Sequence, residues 1–549
     1  MTLNKKGLFY GPIFLVFLAT LVFLGCAVQQ KPQGGPKDLD PPKLLKASPA
    51  NLTHNFKEKE IRLEFDEYFK LNNPFQEITV FPAPEKNPDI KRHQKTLVID
   101  LKDTLLKNTT YVINFGKAIG DVNENNILKN FTYVFSTGTH IDSLTMSGTV
   151  TDNQTQLKVK DATVMLFTLK QDSLLFGKKK PSIYTTTDSV GNFKLSNLKE
   201  GDYKIYALKE QVLDKIYDND AELIGFSSHI IHFSHDTSTI DLKVFKQEPV
   251  NFRYLSKQFT NDGGMLFIFN RPLNNPTVKI LYPDGLDEQK LLDFSKTRDT
   301  LTIYSKNMDF DSVRMAFFDN KKPLDTTYLR KGRKESFTRV LSLKYGTTTN
   351  NELKNGTDLK IHTSLPIDSF DPTSITLKED SNEVKYTMIR DTGIGKTFTI
   401  KYPWKQKVVY QLISEEGAFT DIYGDKNKRQ IKKFTITKPD NYSSLALTLN
   451  LPDTSKMYVV ELLNEQGIVL QTNVVSKTKK AVVTYRSLYV GKFGLRVTYD
   501  DNKNGKWDSG SIKENRQPEN IWVYDKLINI RPNWDSEETV DVPREAITP

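Results

Sequence analysis

The chain has 549 residues, a formal charge of +10, 38% hydrophobic and 26% charged residues, and a single cysteine. At roughly 150 residues per domain that length means several domains rather than one core, and 23 Tyr with 32 Phe supply apolar material for several cores. A lone Cys26 excludes a disulfide framework and any zinc site needing two thiolates; no HExxH, GxSxG or GxxxxGK[ST] word occurs, so a protein without enzymatic activity is expected.

Residues 1–25 read as an export signal, with Lys5 and Lys6 ahead of an apolar run from Leu8 to Leu24. That run is at the lower edge of what spans a bilayer, and the position of the one cysteine, directly after Gly25, decides for a cleaved signal. Phe23-Leu24-Gly25-Cys26 resembles a bacterial lipobox. The resemblance implies cleavage before Cys26 and a covalent lipid on its thiol, with acyl chains such as palmitate holding the protein to the membrane at ~0.8 kcal/mol per buried methylene. Residues 26–40, rich in Gln, Gly, Pro and Lys, are expected to form a flexible tether. The positive excess lies in short clusters beside turn signals, such as Lys178 to Lys180, Arg330/Lys331/Arg333/Lys334 and Lys426/Lys428/Arg429, and reads as solvated loop tips; nucleic acid is not expected as a partner.

After Pro42 the apolar residues alternate with period two, which predicts an all-β chain. In the first module, 41–139, Ile61, Leu63 and Phe65 alternate with Arg62 and Glu64, and Tyr111, Ile113 and Phe115 with Val112 and Asn114. Gly34-Gly35-Pro36-Lys37-Asp38, Asn108-Thr109-Thr110-Tyr111, Asn114-Phe115-Gly116, Asp121, Asn123-Glu124 and Phe135-Ser136-Thr137-Gly138 resemble the bacterial Ig-like domain lipoproteins of the Bacteroidetes. The resemblance implies an Ig-like sandwich on an outer-membrane lipoprotein, and no assigned activity. The acid and amide cluster Asp121, Asn123, Glu124, Asn125 and Asn126 reads as a turn between strands, and Asp66-Glu67 as the end of a strand rather than a glycosidase pair.

The second module, 144–246, carries Ser147-Gly148-Thr149-Val150, Asp161-Ala162, Gly191-Asn192-Phe193, Leu198, Gly201 and Tyr203, words similar to those of carboxypeptidase-regulatory, transthyretin-like sandwiches. Such domains imply no catalysis, and Tyr203, Ile205 and Ala207 are expected to face the core. His229, His232 and His235 invite a metal, but strand alternation turns His232 away from the other two. Residues 247–345 are β in pattern, a sandwich without a recognised type. Tyr410 and Asp421 echo Tyr111 and Asp121 at offsets of 299 and 300, which predicts a second Ig-like module over 346–438. Within it Trp404 is the best candidate for stacking on a sugar. Adding 290 to Leu198, Gly201, Tyr203, Ile205, Tyr217 and Asp218 gives Leu488, Gly491, Phe493, Leu495, Trp507 and Asp508, so a second transthyretin-like sandwich is expected over 440–549.

In that last module Asp500, Asn502, Asn504 and Asp508 occupy positions 1, 3, 5 and 9 of a loop with Gly505 at position 6 and Lys506 at position 7. This spacing wraps a loop around calcium, with Glu514 as an extra ligand; yet position 12 is Ser511 where an EF-hand has Glu, and the first copy loses the pattern. A calcium loop and a plain polar turn both stand, and either one gives rigidity rather than chemistry. The expectation is a lipid-anchored string of sandwiches that acts as a scaffold or accessory subunit of an outer-membrane protein assembly, with an integral outer-membrane protein as partner. The alternative is a glycan-binding or adhesive surface lipoprotein. Trp507, Trp522 and Trp534 are either docking aromatics or the core of their own module.

Overall fold

The computed structural model describes residues 37–545 except 85, 220, 333–335 and 533, so the expected export signal, Cys26 and most of the expected tether lie outside the described residues, as do Arg333 and Lys334. The chain is all-β, with a few short helical turns, and divides into two compact units, Met1–Asp142 and Ser143–Pro549. Among the described residues no helix is long and apolar enough to cross a membrane.

In the first unit a four-stranded sheet, ordered Leu44–Ser48, Glu60–Phe65, Thr96–Asp100, Asp89–His93, shares one core with a three-stranded sheet of Thr79–Phe81, Thr110–Asn114 and Thr132–Ser136. Alternation sets which side chains meet there: Ile61, Leu63 and Phe65 are buried while Arg62 and Glu64 face water. A short pair, Phe69–Leu71 with Ile119–Asp121, closes one side.

The second unit repeats this connectivity. Leu343–Tyr345, Leu359–Thr363, Thr397–Lys401 and Thr387–Arg390 form a sheet in the same order, and Ile375–Glu379, Tyr410–Ser414 and Gln430–Ile436 adjoin as the other; Ile367–Phe370 pairs with Phe419–Asp421 at the equivalent side. The stretch without a recognised type has the same strand order again. Tyr254–Phe259, Met265–Phe269, Thr300–Tyr304 and Leu291–Phe294 form one sheet, and Pro276–Tyr282, Ser312–Asp319 and Lys322–Arg330 the other, around a common core. Its type was hidden for a physical reason. The motif words Phe115-Gly116, Asp121 and Asn123-Glu124 of the first module sit in the excursion between Thr110–Asn114 and Thr132–Ser136, and here that excursion is replaced by a two-residue turn, Asn320 and Lys321, both with positive φ of 50° and 65°.

The stretches 144–246 and 440–549 are likewise copies of one connectivity. Leu144–Asp152 pairs antiparallel with Asn192–Leu198 and parallel with Thr237–Lys246; Tyr442–Asn450 pairs antiparallel with Lys480–Tyr489 and parallel with Ser536–Asp541. Opposite them, Thr163–Thr168 and Gly201–Lys209 correspond to Met457–Leu463 and Gly491–Asp500. The offset of 290 therefore relates equivalent strands.

Candidate functional site

The strand Gly201–Lys209 does not alternate. Tyr203, Ile205, Tyr206, Ala207 and Leu208 are all buried, and so are Val164, Met165, Leu166 and Phe167 on its neighbour. A strand buried on both faces needs cover on both. One face is the module's own core. On the other, Met165, Phe167, Tyr206, Leu208, Ile224, Phe226 and Phe245 form a second cluster, covered by Phe176 and Tyr217 from nearby and by Trp507 and Ile512 from the far end of the chain.

Those last two residues belong to the excursion 501–520, which leaves the strand Gly491–Asp500 and returns at Ile521–Val523. The indole Nε1 of Trp507 donates to the Glu519 carbonyl at 3.0 Å, and the buried Asn153 amide donates to the same oxygen at 3.0 Å. Around this point Gln517 Nε2 donates to the Phe226 carbonyl at 2.7 Å, Asn515 Nδ2 to that of Ser228 at 2.8 Å, and Ser509 Oγ to that of Lys246 at 2.9 Å. Lys243 Nζ reaches Asn520 Oδ1 at 2.6 Å, and desolvation holds its amine below the usual lysine range. Gly510 lets the backbone pass over Phe245, because a Cβ there would stand 2.4 Å from the ring. The 144–246 and 440–549 modules are thus joined directly, although about a hundred residues on each of two intervening sandwiches separate them in sequence.

At the root of the excursion lies the loop singled out by its spacing. Asp500 is fully buried; its Oδ1 accepts from the Asn504 N–H at 3.2 Å and its Oδ2 from the Gly505 N–H at 2.7 Å. Asn502 Oδ1 accepts from the Asn504 N–H and Asn504 Oδ1 from the Lys506 N–H, each at 3.0 Å. The Asp508 carboxylate accepts from the side-chain amides of Asn502 and Asn504. Glu514, the extra ligand by spacing, pairs instead with Arg516 at 3.2 Å. The residue that organises the loop is Glu519, which carried no sequence signal. Its buried carboxylate accepts from the N–H groups of Asp501 at 2.9 Å and Asp508 at 3.0 Å. Burial raises its carboxyl above the ordinary range, the charges of Asp508 and Asp500 add to the rise, and the two N–H donors oppose it. Among the described residues no group of three His, Cys, Asp or Glu side chains is placed to hold a metal ion, so an ion here would draw on amide and main-chain oxygens as well.

The remaining candidates are dispersed. His232 pairs with Asp202 at 2.7 Å, His229 lies beside Ser228 and His235 beside Ser234, all three exposed. Trp404 stands edge-on to Tyr410 and Phe434, at 5.0 and 5.4 Å between ring centres, as part of the 343–436 core rather than as a free platform. The three C-terminal tryptophans have separate roles: Trp507 packs on another module, Trp522 packs half-buried on its own, and Trp534 is 68% exposed. Asp121 caps its turn by accepting from the N–H groups of Glu124, Asn125 and Asn126. Against the cost of burial, these donors hold its carboxyl below the ordinary range. Its counterpart Asp421 accepts from only Tyr423 and Asp425, its Oδ2 is buried without a partner, and burial pushes its carboxyl up.

Residues 38–137 match the bacterial Ig-like domain family, in agreement with the Ig-like resemblance of the first module. No curated protein matches the chain. Similar solved structures include the Bacillus anthracis TIE protein, 10% identical with 93% of this chain and 75% of that one covered at a TM-score of 0.15. Others are domains 1-6 of the surface layer protein SbsC, 10% identical over 89% and 67% at 0.14, and BcpA, the major pilin subunit of Bacillus cereus, 10% identical over 73% and 99% at 0.14.

Proposed function

We propose that this protein is a non-enzymatic lipoprotein, held to the outer membrane by acyl chains on Cys26, that serves as a scaffold or accessory subunit of an outer-membrane protein assembly. The observation that carries this reading is the seating of the 501–520 excursion on the 144–246 core. Modules joined only through linkers would hinge freely. Closing the second and last modules on each other through an apolar anchor and several hydrogen bonds removes that freedom across Ser143–Pro549, which suits a part that holds a partner at a set distance. Purification from native membranes in mild detergent tests it: an integral barrel protein should co-purify in fixed ratio. A monodisperse chain with no partner would sink the scaffold and favour the adhesive, glycan-binding surface lipoprotein.

The anchor has its own test. Cys26→Ser is expected to leave an uncut or unacylated protein that no longer partitions with the outer membrane, read by fractionation and metabolic labelling with a fatty acid. A variant still recovered in acylated form would remove the lipid from this thiol.

Calcium on the 500–508 loop is part of the same proposal, supported by the charges of Asp508 and Asp500, which add to the rise that burial gives the Glu519 carboxyl. A divalent cation would relieve that repulsion, with Asp500, Asn502, Asn504, Asp508 and the Lys506 position supplying oxygen. Chelator is expected to lower the Tm, and Asp500→Ala combined with Asp508→Ala to abolish the difference. An unchanged Tm with and without millimolar calcium would leave a turn held by its own hydrogen bonds.

A further inference from the structure

The strand Val469–Ser476 forms one edge of the sheet that contains Met457–Leu463 and Gly491–Asp500. An edge strand offers a row of unpaired N–H and C=O groups, and proteins usually blunt such rows with charge, shortness or cover. The other edges of this chain follow that rule. Among the described residues, every other edge strand of six residues or more carries a charged side chain: Lys194, Lys257, Lys279, Asp325, Arg486 and Glu538 each lie on one of them. Val469–Ser476 has eight residues and no charge. Its main chain makes no hydrogen bond within the described residues beyond those to Met457–Leu463. Leu470 is 45% and Val474 50% exposed, and the ladder slips at Leu470, so that Val469 and Leu470 both reach solvent.

The sequence of this edge is close to a palindrome. About Thr472 it reads outward as Gln471 against Asn473, Leu470 against Val474, and Val469 against Val475. We propose that the edge pairs with itself: two copies of the chain join antiparallel along Leu470–Val474, short of Val469 where the ladder has slipped, with Thr472 on the two-fold axis, and the two sheets become one continuous sheet. Each cross-strand pair is then like with like, hydroxyl with hydroxyl, amide with amide and aliphatic with aliphatic, and no charge is placed opposite another. The interface is isologous and closes at two. A single pair of edge strands buries less than the ~1,000 Å² of a permanent complex, so association is expected in the micromolar range. The inference is independent of the scaffold role and of the lipid.

The test uses the full chain in its membrane. Thr472→Cys should give a disulfide-linked product of twice the chain mass under mild oxidation. Ser476→Cys, whose thiol would face residue 468 of the second copy, should give at least tenfold less, and both variants share Cys26 as background. In detergent, Thr472→Lys and Thr472→Glu should each sediment as monomers at about 100 μM, where the native chain is dimeric. Their equimolar mixture should recover the dimer. Equal yields from the two cysteine variants, a cross-link only to a different polypeptide, or a mixture that stays monomeric while both variants melt like the native chain would each overturn the proposal.

Discussion

Trp507→Ala is expected to release the excursion 501–520 from the 144–246 module at a cost of ~3–5 kcal/mol, the range for removing a large aromatic from a packed site. The indole does two things that its neighbours cannot take over. It covers the cluster of Met165, Phe167, Tyr206 and Phe245, and its Nε1 fixes the Glu519 carbonyl that also receives the Asn153 amide. What remains after truncation is a set of separate hydrogen bonds, each contributing about 1 kcal/mol net, to groups that water can satisfy once the cover is gone. Hydrogen exchange should show faster exchange both in 501–520 and in Gly201–Lys209, while Lys480–Tyr489 keeps its protection. Gly510→Val should act in the same direction, since its side chain would collide with the Phe245 ring. If Trp507→Ala left both segments as protected as in the native chain, the indole would not be the anchor. The same geometry bears on how the scaffold is tested. Deleting 440–549 would also uncover the 144–246 cluster, so loss of a partner after deletion would not locate the binding surface, whereas Trp507→Ala separates docking from the presence of the module.

Gly148→Ala is expected to destabilise its module strongly, with loss of more than ~3 kcal/mol and a Tm lower by more than about 10 °C for a module of this size. Gly148 sits inside Leu144–Asp152, opposite Phe193 on one neighbour and Ile240 on the other. An added Cβ would lie 1.8 Å from the Ile240 carbonyl oxygen and 2.6 Å from its carbon. These are main-chain atoms of a paired strand, so no rotamer change relieves the contact, and moving Leu144–Asp152 away would break its ladder. Gly346→Ala is the control: its new methyl would meet the Lys360 Cβ at 3.4 Å, an ordinary contact. Circular dichroism melts of the two variants check the pair. A Gly148→Ala chain as stable as the native one would mean that the parallel pairing with Thr237–Lys246 is absent.

The sequence by itself determined the class of fold, because a β-strand with one wet face writes its burial into every second residue; Ile61, Leu63 and Phe65 needed no tertiary information. It carried the offsets of 290 and about 300 that relate strands of like pairing, and it marked Asp121 as a turn residue, a property decided within five positions. Only the tertiary structure decided that 254–330 shares the Ig-like strand order, for its connecting turn had lost the segment that carried recognisable words. Only the tertiary structure decided what Trp507, Ile512 and Glu519 do. Alternation placed Tyr203, Ile205 and Ala207 toward one core, whereas the structure buries Tyr206 and Leu208 on the other face as well; a strand's pattern reports how much of it is buried, not by what. The covering residues lie about 300 positions away, and a contact at that separation leaves no local period on either side of it.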